Sequence, residues 1–364
     1  MWLLVNRPSS ILPSPIPPHL PYPPADTDMP GKLTSSSLIT VVQHRTATDF
    51  LSATHSHLRD NERSSGIVFA HALKRLGKEA RTTLATPRDV DDWLRFPRHR
   101  VRDDPNAFWL TVWSVDPVNN TATLDLVLSC VDWTLGNYPI FLWSPQPEDK
   151  TWLIPRVTKL TNHLLDCAPP ERVFSVFGMT WLVKTFSEYW TGLTGHEVEP
   201  EPFYAALLSY CTESTFIDSI SQLPAGHVIR LATKSDVESI AQLCKEFGDD
   251  SVSVFSQPPI PRRRRTILTP KSCLQVYFPM TLDQGRIEAQ GLVKDAQVWV
   301  YDVNGQCSTI CAVTRTTHNV SAITKVYTTP KFRRIGCAEN LVRHVTRRYA
   351  AVCSASGIKR LTAV

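Results

Sequence analysis

Three residues near the end of the chain have the types and spacing of an anion site: Arg333, Gly336 and Ala338. A largely apolar run at 320–328 precedes them, and an apolar pattern of helical period at 337–349 follows. The chain therefore predicts a strand, a tight turn and a helix in succession, with these three residues in the turn and the first helical positions.

Such a junction can bind a phosphate group. The first amides of a helix have no partner within the helix, and the helix dipole makes that end positive. A diphosphate can accept hydrogen bonds from those amides. Gly336 and Ala338 keep side chains small where a phosphate must approach the backbone, and Arg333 and Arg334 add positive charge. An anionic ligand at this turn is therefore the expected chemistry.

The pattern Arg333-x-x-Gly336-x-Ala338 resembles the Q/R-x-x-G-x-G/A signature of the GNAT acetyltransferases. The segment 326–333, which leads from strand to loop, also resembles that family. The resemblance covers about 226–364 and implies a mixed α/β fold, with a mostly antiparallel twisted sheet flanked by helices.

The order of elements before the motif agrees with the same family. A strand at 227–231 and a helix with the apolar face of 237–247 come first. A hairpin follows, in which Asn304-Gly305 has the composition of a type I′ turn. Position in this order distinguishes the motif from a chance match.

The resemblance implies that acetyl-CoA is the cosubstrate and that an amine accepts the acetyl group. The strand before the motif would splay from its neighbour and hold the pantetheine arm, and the loop amides would hold the pyrophosphate. The cofactor-binding residues implied in this way are Val326, Tyr327, Thr328, Arg333, Arg334, Ile335, Gly336, Cys337 and Ala338.

Three departures from the family pattern stand out. Arg334 occupies a position where many members have Gly, and Ile335 replaces a commonly polar residue. The chain ends at Val364, in the expected fifth strand, before the helix, the CoA-contacting Tyr and the final hairpin of the family. The C-terminal domain is therefore expected to be incomplete.

No catalytic residue follows from the sequence. Acetyl transfer needs a base to deprotonate the amine, but 320–330 contains no carboxylate. His318 is a candidate base, with a solvated loop histidine as the alternative. Glu339 is better explained by the helix dipole than by catalysis. Cys337 is better explained by packing than by nucleophilic use.

The first half of the chain has a similar order of elements without the motif. Residues 1–37 hold nine prolines and are expected to form a disordered tail, with Met29 as an alternative start. In the domain 38–215, the apolar run Leu38–Val42 and two helices, at about Ala47–Leu58 and Ile67–Leu76, come first. A hairpin, a strand, a helix, a strand, a helix and a strand are then predicted from Phe108 onward. This order fits a degenerate GNAT-like domain, although other α+β domains share it.

Several local expectations can be tested against the structure. Residues Pro87–Pro105 predict a linker, and Phe203–Tyr210 predicts the last strand of the first domain. Ser235 to Glu238 predicts a capping box, and Gly248 a left-handed helix end. The segment Asp249–Gln284 is expected to be mostly irregular.

The composition favours a folded protein without a membrane span. Apolar residues make up 42% of 364, enough for packed cores, and the net charge of +5 is compatible with an anionic cofactor. The nine cysteines are widely spaced and predict reduced thiols and no metal site. No apolar run is long enough for a membrane span or signal peptide, so we expect a cytoplasmic protein.

The run Arg262–Arg265 leaves a nuclear location open. An exposed loop is its simpler interpretation, a patch for an acidic substrate is another, and nucleic-acid binding is a weak alternative. The sequence therefore predicts two GNAT-like domains, 38–215 and 226–364, and an acetyl-CoA-dependent N-acyltransferase. The alternative is a GNAT-like protein that binds CoA or a partner without turnover. Neither the acceptor nor the oligomeric state follows.

Overall fold

The computed structural model shows a mixed α/β protein built on two mostly antiparallel sheets, with helices packed against them. The residues that the structure describes are 2–7, 38–80, 87–95, 107–133, 135–199, 202, 204–205, 207–212, 214–217, 222–253, 280–356 and 361–363.

We call the eight-stranded sheet and its helices the first unit. Its helices are α1 (Ala47–Asp60), α2 (Glu62–Ala80), α3 (Pro87–Arg95), α4 (Lys150–Cys167) and α5 (Thr180–Thr194). Its strands are β1 (Trp2–Arg7), β2 (Leu38–His44), β3 (Phe108–Asp116), β4 (Thr121–Cys130), β7 (Ile140–Trp143), β8 (Ser175–Gly178), β9 (Glu197–Val198) and β10 (Tyr204–Ala205), and a separate ribbon pairs β5 (Asp132–Trp133) with β6 (Gly136–Asn137).

The six-stranded sheet and its helices form the second unit. Its helices are α6 (Val237–Ser253), α7 (Leu282–Lys294) and α8 (Cys337–Ser356). Its strands are β11 (Tyr210–Cys211), β12 (His227–Leu231), β13 (Val298–Val303), β14 (Gln306–Thr316), β15 (Val320–Thr328) and β16 (Leu361–Ala363).

Both units follow the same plan. The strand order is β10-β1-β8-β7-β4-β3-β2 in the first sheet, with β9 beside β1, and β11-β16-β15-β14-β13-β12 in the second. Each unit runs strand, helices, hairpin, strand, helix and parallel strand, with three helices (α1–α3) before the hairpin in the first unit and two (α6 and α7) in the second. The parallel pair is β7–β8 in the first unit and β15–β16 in the second, and the other recorded pairs are antiparallel. The repeated order places a strand–turn–helix junction at the same point in each sheet.

The apolar faces of both sheets are covered. In the first unit, Leu110 and Val112 of β3 face a core that includes α4 and α5, whereas Trp109 faces a core that includes α1 and α2. In the second unit, Val300 faces α6 and α7, and Tyr301 faces α8. Because successive side chains of a strand point to opposite faces of the sheet, each of these strands contributes apolar residues to the cores on both faces.

The amino terminus differs from the expectation of a disordered tail at 1–37. Trp2–Arg7 forms β1, which pairs antiparallel with Ser175–Gly178 of β8. The proline-rich composition begins only at Pro8, so it does not prevent pairing of the residues before it. Residues 8–37 lie outside the described part of the chain.

Two further expectations in the first half were wrong in part. The segment Pro87–Pro105 begins with helix α3, whose first residue is proline, where the missing amide costs no hydrogen bond. Phe203–Tyr210 does not form one strand: Tyr204–Ala205 belongs to the first sheet, and Tyr210–Cys211 pairs with β16 in the second.

Helix α6 begins and ends differently from the prediction. The capping box is formed by Thr233 and Asp236, two residues earlier than the predicted Ser235–Glu238. Arg230 favours the observed box because it binds both oxygens of Asp236, at 2.7 and 2.8 Å. These hydrogen bonds also hold the pKa of the Asp236 carboxyl far below its usual range. The helix continues through Gly248, where an added Cβ would lie 3.3 Å from Cβ of Met280.

Helix α7 lies partly inside the segment expected to be irregular, and sequence reasoning missed it. Its start carries a visible signal, since Thr281 and Gln284 form a capping box. The Asn304-Gly305 turn is confirmed: both residues have positive φ, 51° and 81°, as a type I′ turn requires.

In the described part of the chain, no helix combines the length and the apolar character that crossing a membrane would need.

Candidate functional site

The strand β15 has an open edge along most of its length. It pairs with β14 throughout, but its parallel pairing with β16 covers only Val320, Ser321 and Ala322. Among the described residues, 323–328 have no strand on that second side. The backbone amides and carbonyls that point away from β14 in this part of the strand therefore face an extended ligand with amide groups of its own.

A tight turn carries the chain from β15 into α8. The amide of Thr329 donates to Ser308 O at 3.0 Å, and a 3₁₀ turn follows at Pro330–Phe332. Arg334 and Gly336 then both have positive φ, 64° and 82°. Glycine is the residue that adopts this conformation without strain, so Gly336 is required by the turn itself.

The N-terminus of α8 is not capped by a side chain of the described residues. The first recorded helical bond runs from Asn340 N to Gly336 O at 3.0 Å. Within the described chain, the amides of 335–339 donate to no other backbone group. The side chains of Arg333, Arg334 and Ile335 are exposed, and Ile335 is 55% accessible. The predicted anion site therefore lies at the surface, at a strand–helix junction.

Arg333 does not point freely at this site. Its Nη2 binds Asp250 of α6 at 2.5 Å and lies 3.1 Å from the Tyr327 hydroxyl, while its Nε donates to Thr328 O at 2.9 Å. The guanidinium therefore ties the turn to β15 and to α6. Its direct role in anion binding stays a prediction, whereas its role in fixing the turn is visible in these contacts.

The three β15 residues named by the resemblance use their side chains within the fold. Val326 packs on the α8 side and Tyr327 on the α6 side, with its ring 6.3 Å from that of Phe247. Burial, followed by the charge of Asp250, raises the pKa of Tyr327 to about 12. Thr328 bonds to the Thr309 hydroxyl at 3.0 Å. What remains for a ligand is their outward-facing backbone groups, apart from the Thr328 carbonyl, which accepts from Arg333.

A β-bulge interrupts β15 at Thr324, because Lys325 pairs with Ala312 but Ile323 pairs with Val313. Bulges re-aim the neighbouring side chains. Lys325, the next residue, reaches both oxygens of Glu288 in α7 at 2.8 Å, with both side chains 11% exposed. Sequence reasoning missed Glu288 because it missed α7.

The other residues considered as candidates from the sequence have contacts within the fold. His318 is buried, 7% exposed, and packs against His55 and Phe69 of the first unit. It lies between β14 and β15 and not at the turn from β15 into α8. Glu339 pairs with Arg343 at 2.7 Å on the surface of α8. Cys337 is 2% exposed and belongs to the core beneath α8. The loop Arg262–Arg265 lies outside the described residues.

The first unit contains the matching junction, between β7 and α4, but there the first amides of the helix are occupied by a side chain. Asp149 caps α4: its Oδ1 accepts from Thr151 N at 2.9 Å and Trp152 N at 3.2 Å. Pro145 and Pro147 in the preceding turn have no amide to offer. A ligand phosphate would meet a carboxylate here in place of open amides.

Comparison with known proteins found similarity to solved structures alone. A GCN5-related N-acetyltransferase from Sphaerobacter thermophilus matches with 12% identity over 89% of this chain and 86% of that one, at a TM-score of 0.40. An N-acetyltransferase from Staphylococcus aureus Mu50 matches with 14% identity over 35% and 68%, at 0.25. A GNAT family acetyltransferase from Brucella melitensis, in complex with acetyl-CoA, matches with 13% identity over 35% and 70%, at 0.23.

No protein-family model and no curated protein matches the chain. At these identities and TM-scores the structural similarities carry no functional weight.

Proposed function

We propose that the second unit binds acetyl-CoA and catalyses transfer of its acetyl group to an amine. One combination carries the proposal: an open strand edge at 323–328 leads directly to an uncapped helix N-terminus at 335–339. The pantetheine arm of CoA is a chain of amides, and a diphosphate follows it. The two parts of the junction match those two parts of the ligand.

Each part of the junction would have its own role. Backbone groups of Val326, Tyr327 and Thr328 would bond the pantetheine amides, and the amides from Arg334 to Ala338 would hold the diphosphate. Acetyl-CoA supplies an activated acetyl thioester when bound. Free strand amides could also stabilise negative charge on the acetyl carbonyl during transfer.

The acceptor amine has to lose a proton before it can attack. A lysine-like amine has a pKa of about 10.4, so a base or a water chain is required. Among the described residues, two carboxylates contact side chains of β15, and each is already paired with a cation: Glu288 with Lys325, and Asp250 with Arg333. Each carboxylate would have to leave its ion pair to meet an incoming amine, so we assign no catalytic residue.

These same ion pairs favour a second candidate, a protein that binds CoA or a partner without turnover. It shares the anion site with the first candidate and differs in lacking a base. The two are separated by chemistry at the thioester and not by binding.

Binding is tested by titrating the full chain with acetyl-CoA in a calorimeter. The informative variant is Ile335→Asp, which places a carboxylate beside the open amides at an exposed position. Its matched control is Ile217→Asp, at a residue 82% exposed and far along the chain from the junction. We expect Ile335→Asp to weaken acetyl-CoA binding by about tenfold or more, and Ile217→Asp to leave it unchanged.

Absence of heat with the unaltered chain, or equal affinities for the two variants, would count against the site. Turnover is measured as free thiol released from acetyl-CoA in the presence of a panel of amines. Release above the hydrolysis background supports the transferase and rejects the second candidate; binding without release supports the second.

A further inference from the structure

The contact between the two units is organised around one buried carboxylate, that of Glu62 at the start of α2. The side chain is 5% exposed. Its Oε2 accepts from the Thr317 hydroxyl at 2.8 Å and from Asn319 N at 2.7 Å, and its Oε1 accepts from Asn319 Nδ2 at 3.2 Å. A buried charge persists only when its oxygens are satisfied in this way.

The residues that Glu62 holds form the turn between β14 and β15. Thr317 N donates to Val320 O at 2.8 Å and closes that turn. Val320 is the first residue of β15, so the carboxylate holds the start of the strand whose open edge follows at 323–328.

The middle residue of the turn is held by packing. His318 lies edge-on to His55, with ring centres 5.9 Å apart, and edge-on to Phe69 at 6.1 Å. His55 is itself anchored, since its Nδ1 lies 3.0 Å from Asp91 Oδ1 of α3. All three residues of the turn therefore contact the first unit.

We propose that Glu62 is a positioning residue for the open edge of β15. The carboxylate anchors the β14–β15 hairpin, so that the edge at 323–328 keeps its register with β14 and the turn after it keeps its position relative to that edge. Register matters here, because a slip of one residue would exchange the two faces of the strand. The first unit then acts as a structural support for the junction of the second. The effect on ligand binding rests on the proposed function; the effect on the hairpin does not.

Two variants of Glu62 separate its hydrogen bonds from its charge. Glu62→Gln retains one oxygen for Thr317 and the Asn319 amide, and its new NH₂ can donate to the Asn319 side chain once that amide flips. Glu62→Ala leaves these donors buried without an acceptor, which costs more than the bonds themselves contribute. The conservative variant should therefore rescue what the alanine variant loses.

Glu79, at the other end of α2, offers a matched control. Its carboxylate also accepts three bonds, from Ala47 N at 2.7 Å, Thr48 N at 2.9 Å and the Thr48 hydroxyl at 2.8 Å. All of these lie inside the first unit. Glu79→Ala thus removes a similar set of bonds without touching the second unit.

The experiment uses the full chain and two measurements. Amide hydrogen exchange is followed without ligand in peptides covering 317–328, and acetyl-CoA affinity is measured by calorimetry. Glu62→Ala should speed exchange in 317–328 by about tenfold and weaken acetyl-CoA binding by a similar factor. Glu62→Gln should stay within about threefold of the unaltered chain in both, and Glu79→Ala should change neither.

Unchanged exchange in 317–328 in Glu62→Ala would overturn the anchoring role. Faster exchange with unaltered acetyl-CoA affinity would overturn positioning while leaving the proposed function standing. If the unaltered chain binds no acetyl-CoA, the proposed function fails and positioning fails with it, although exchange still reports the anchor. Should Glu62→Ala not fold, Thr317→Val removes one of the three bonds to Glu62, together with the longer 3.3 Å contact of the same hydroxyl to Val320 O, with little change of shape. The main-chain bond from Thr317 N to Val320 O still closes the turn, and the same outcomes apply.

Discussion

The two strand–turn–helix junctions of this protein share a topology and use their helix amides in opposite ways. In the first unit, β8 pairs with β7 over Ile140–Leu142, nearly the whole strand, and Asp149 caps the helix that follows. In the second unit, β16 reaches only the first three residues of β15, and the helix start at Cys337 has no side-chain cap among the described residues.

Gly178 shows how completely the first junction is closed. An added Cβ at Gly178 would lie 2.5 Å from Leu142 O, so the two parallel strands leave no space between them. A capping carboxylate and a bound phosphate compete for the same amides. The comparison shows that one topology can leave a strand edge and helix amides open in one unit and close both in the other; under the proposed function, that difference decides which junction binds the ligand.

The most direct way to break the comparison is Gly336→Ala. The substitution forces a side chain into a left-handed conformation, which costs roughly 1–2 kcal/mol of unfolding free energy. It also disturbs the turn that presents the amides, so we expect acetyl-CoA affinity to fall at least about tenfold. Calorimetry and urea unfolding measure the two effects.

Gly195→Ala is the control, since Gly195 has a similar φ of 73° at the end of α5 and open space around it. It should lose comparable stability and keep full acetyl-CoA affinity. Equal affinities in the two glycine variants would mean that the turn conformation is irrelevant to the ligand.

Asp149→Ala tests whether the helix cap is the one feature that keeps the first junction from binding a ligand as proposed for the second. Loss of the cap should lower the unfolding free energy by about 1 kcal/mol. We expect no second acetyl-CoA site to appear, because Pro145 and Pro147 supply no amides and β8 closes the strand edge. A calorimetric stoichiometry of two would show instead that the carboxylate was the single obstacle.

Asp250→Asn sharpens the role of charge in the second junction. Asp250 and Arg333 are each about half exposed, so their pair contributes less than about 1 kcal/mol to stability. Removing one negative charge near the turn should strengthen acetyl-CoA binding about two- to threefold at low salt, and less at high salt. Asp283→Asn, at an exposed ion pair on α7, should have no such effect.

The smallest effect concerns pH and the contact between the units. Burial raises the pKa of Glu62, although hydrogen bonds from Thr317 and Asn319 oppose the shift. The folded chain therefore binds this proton more tightly than the unfolded chain does, and stability falls as pH rises from about 4 through the raised pKa. Glu62→Gln lacks this titration.

The unfolding free energy of Glu62→Gln relative to the unaltered chain should therefore increase with pH across that window. Denaturant unfolding at several pH values gives the difference. A difference that is constant with pH, or that decreases, would contradict the raised pKa.

Local patterns were sufficient for much of the second unit. The Asn304-Gly305 turn and the strand, turn and helix at 320–349 follow from residue types that admit few conformations. Helix α7 also had a local signal in Thr281 and Gln284, which the surrounding Pro- and Arg-rich segment obscured.

Other features depend on partners distant in the chain and could not be read locally. The strand Trp2–Arg7 exists because Ser175–Gly178 offers it an edge. The sequence offers His318 as a candidate base, whereas its contacts with His55 and Phe69 place it between the units. Glu62 has no motif at all: its importance arises from a turn more than two hundred residues away.

β1 is an interior strand of the first sheet, so its loss would have a structural consequence. β1 lies between β8 and β10, not beyond them. Synthesis beginning at Met29 would omit it and leave the hydrogen-bonding groups of β8 exposed. Unprotected edges of this kind recruit strands from other molecules. A product of that shorter reading frame should self-associate, which light scattering would reveal as a rise in mass with concentration.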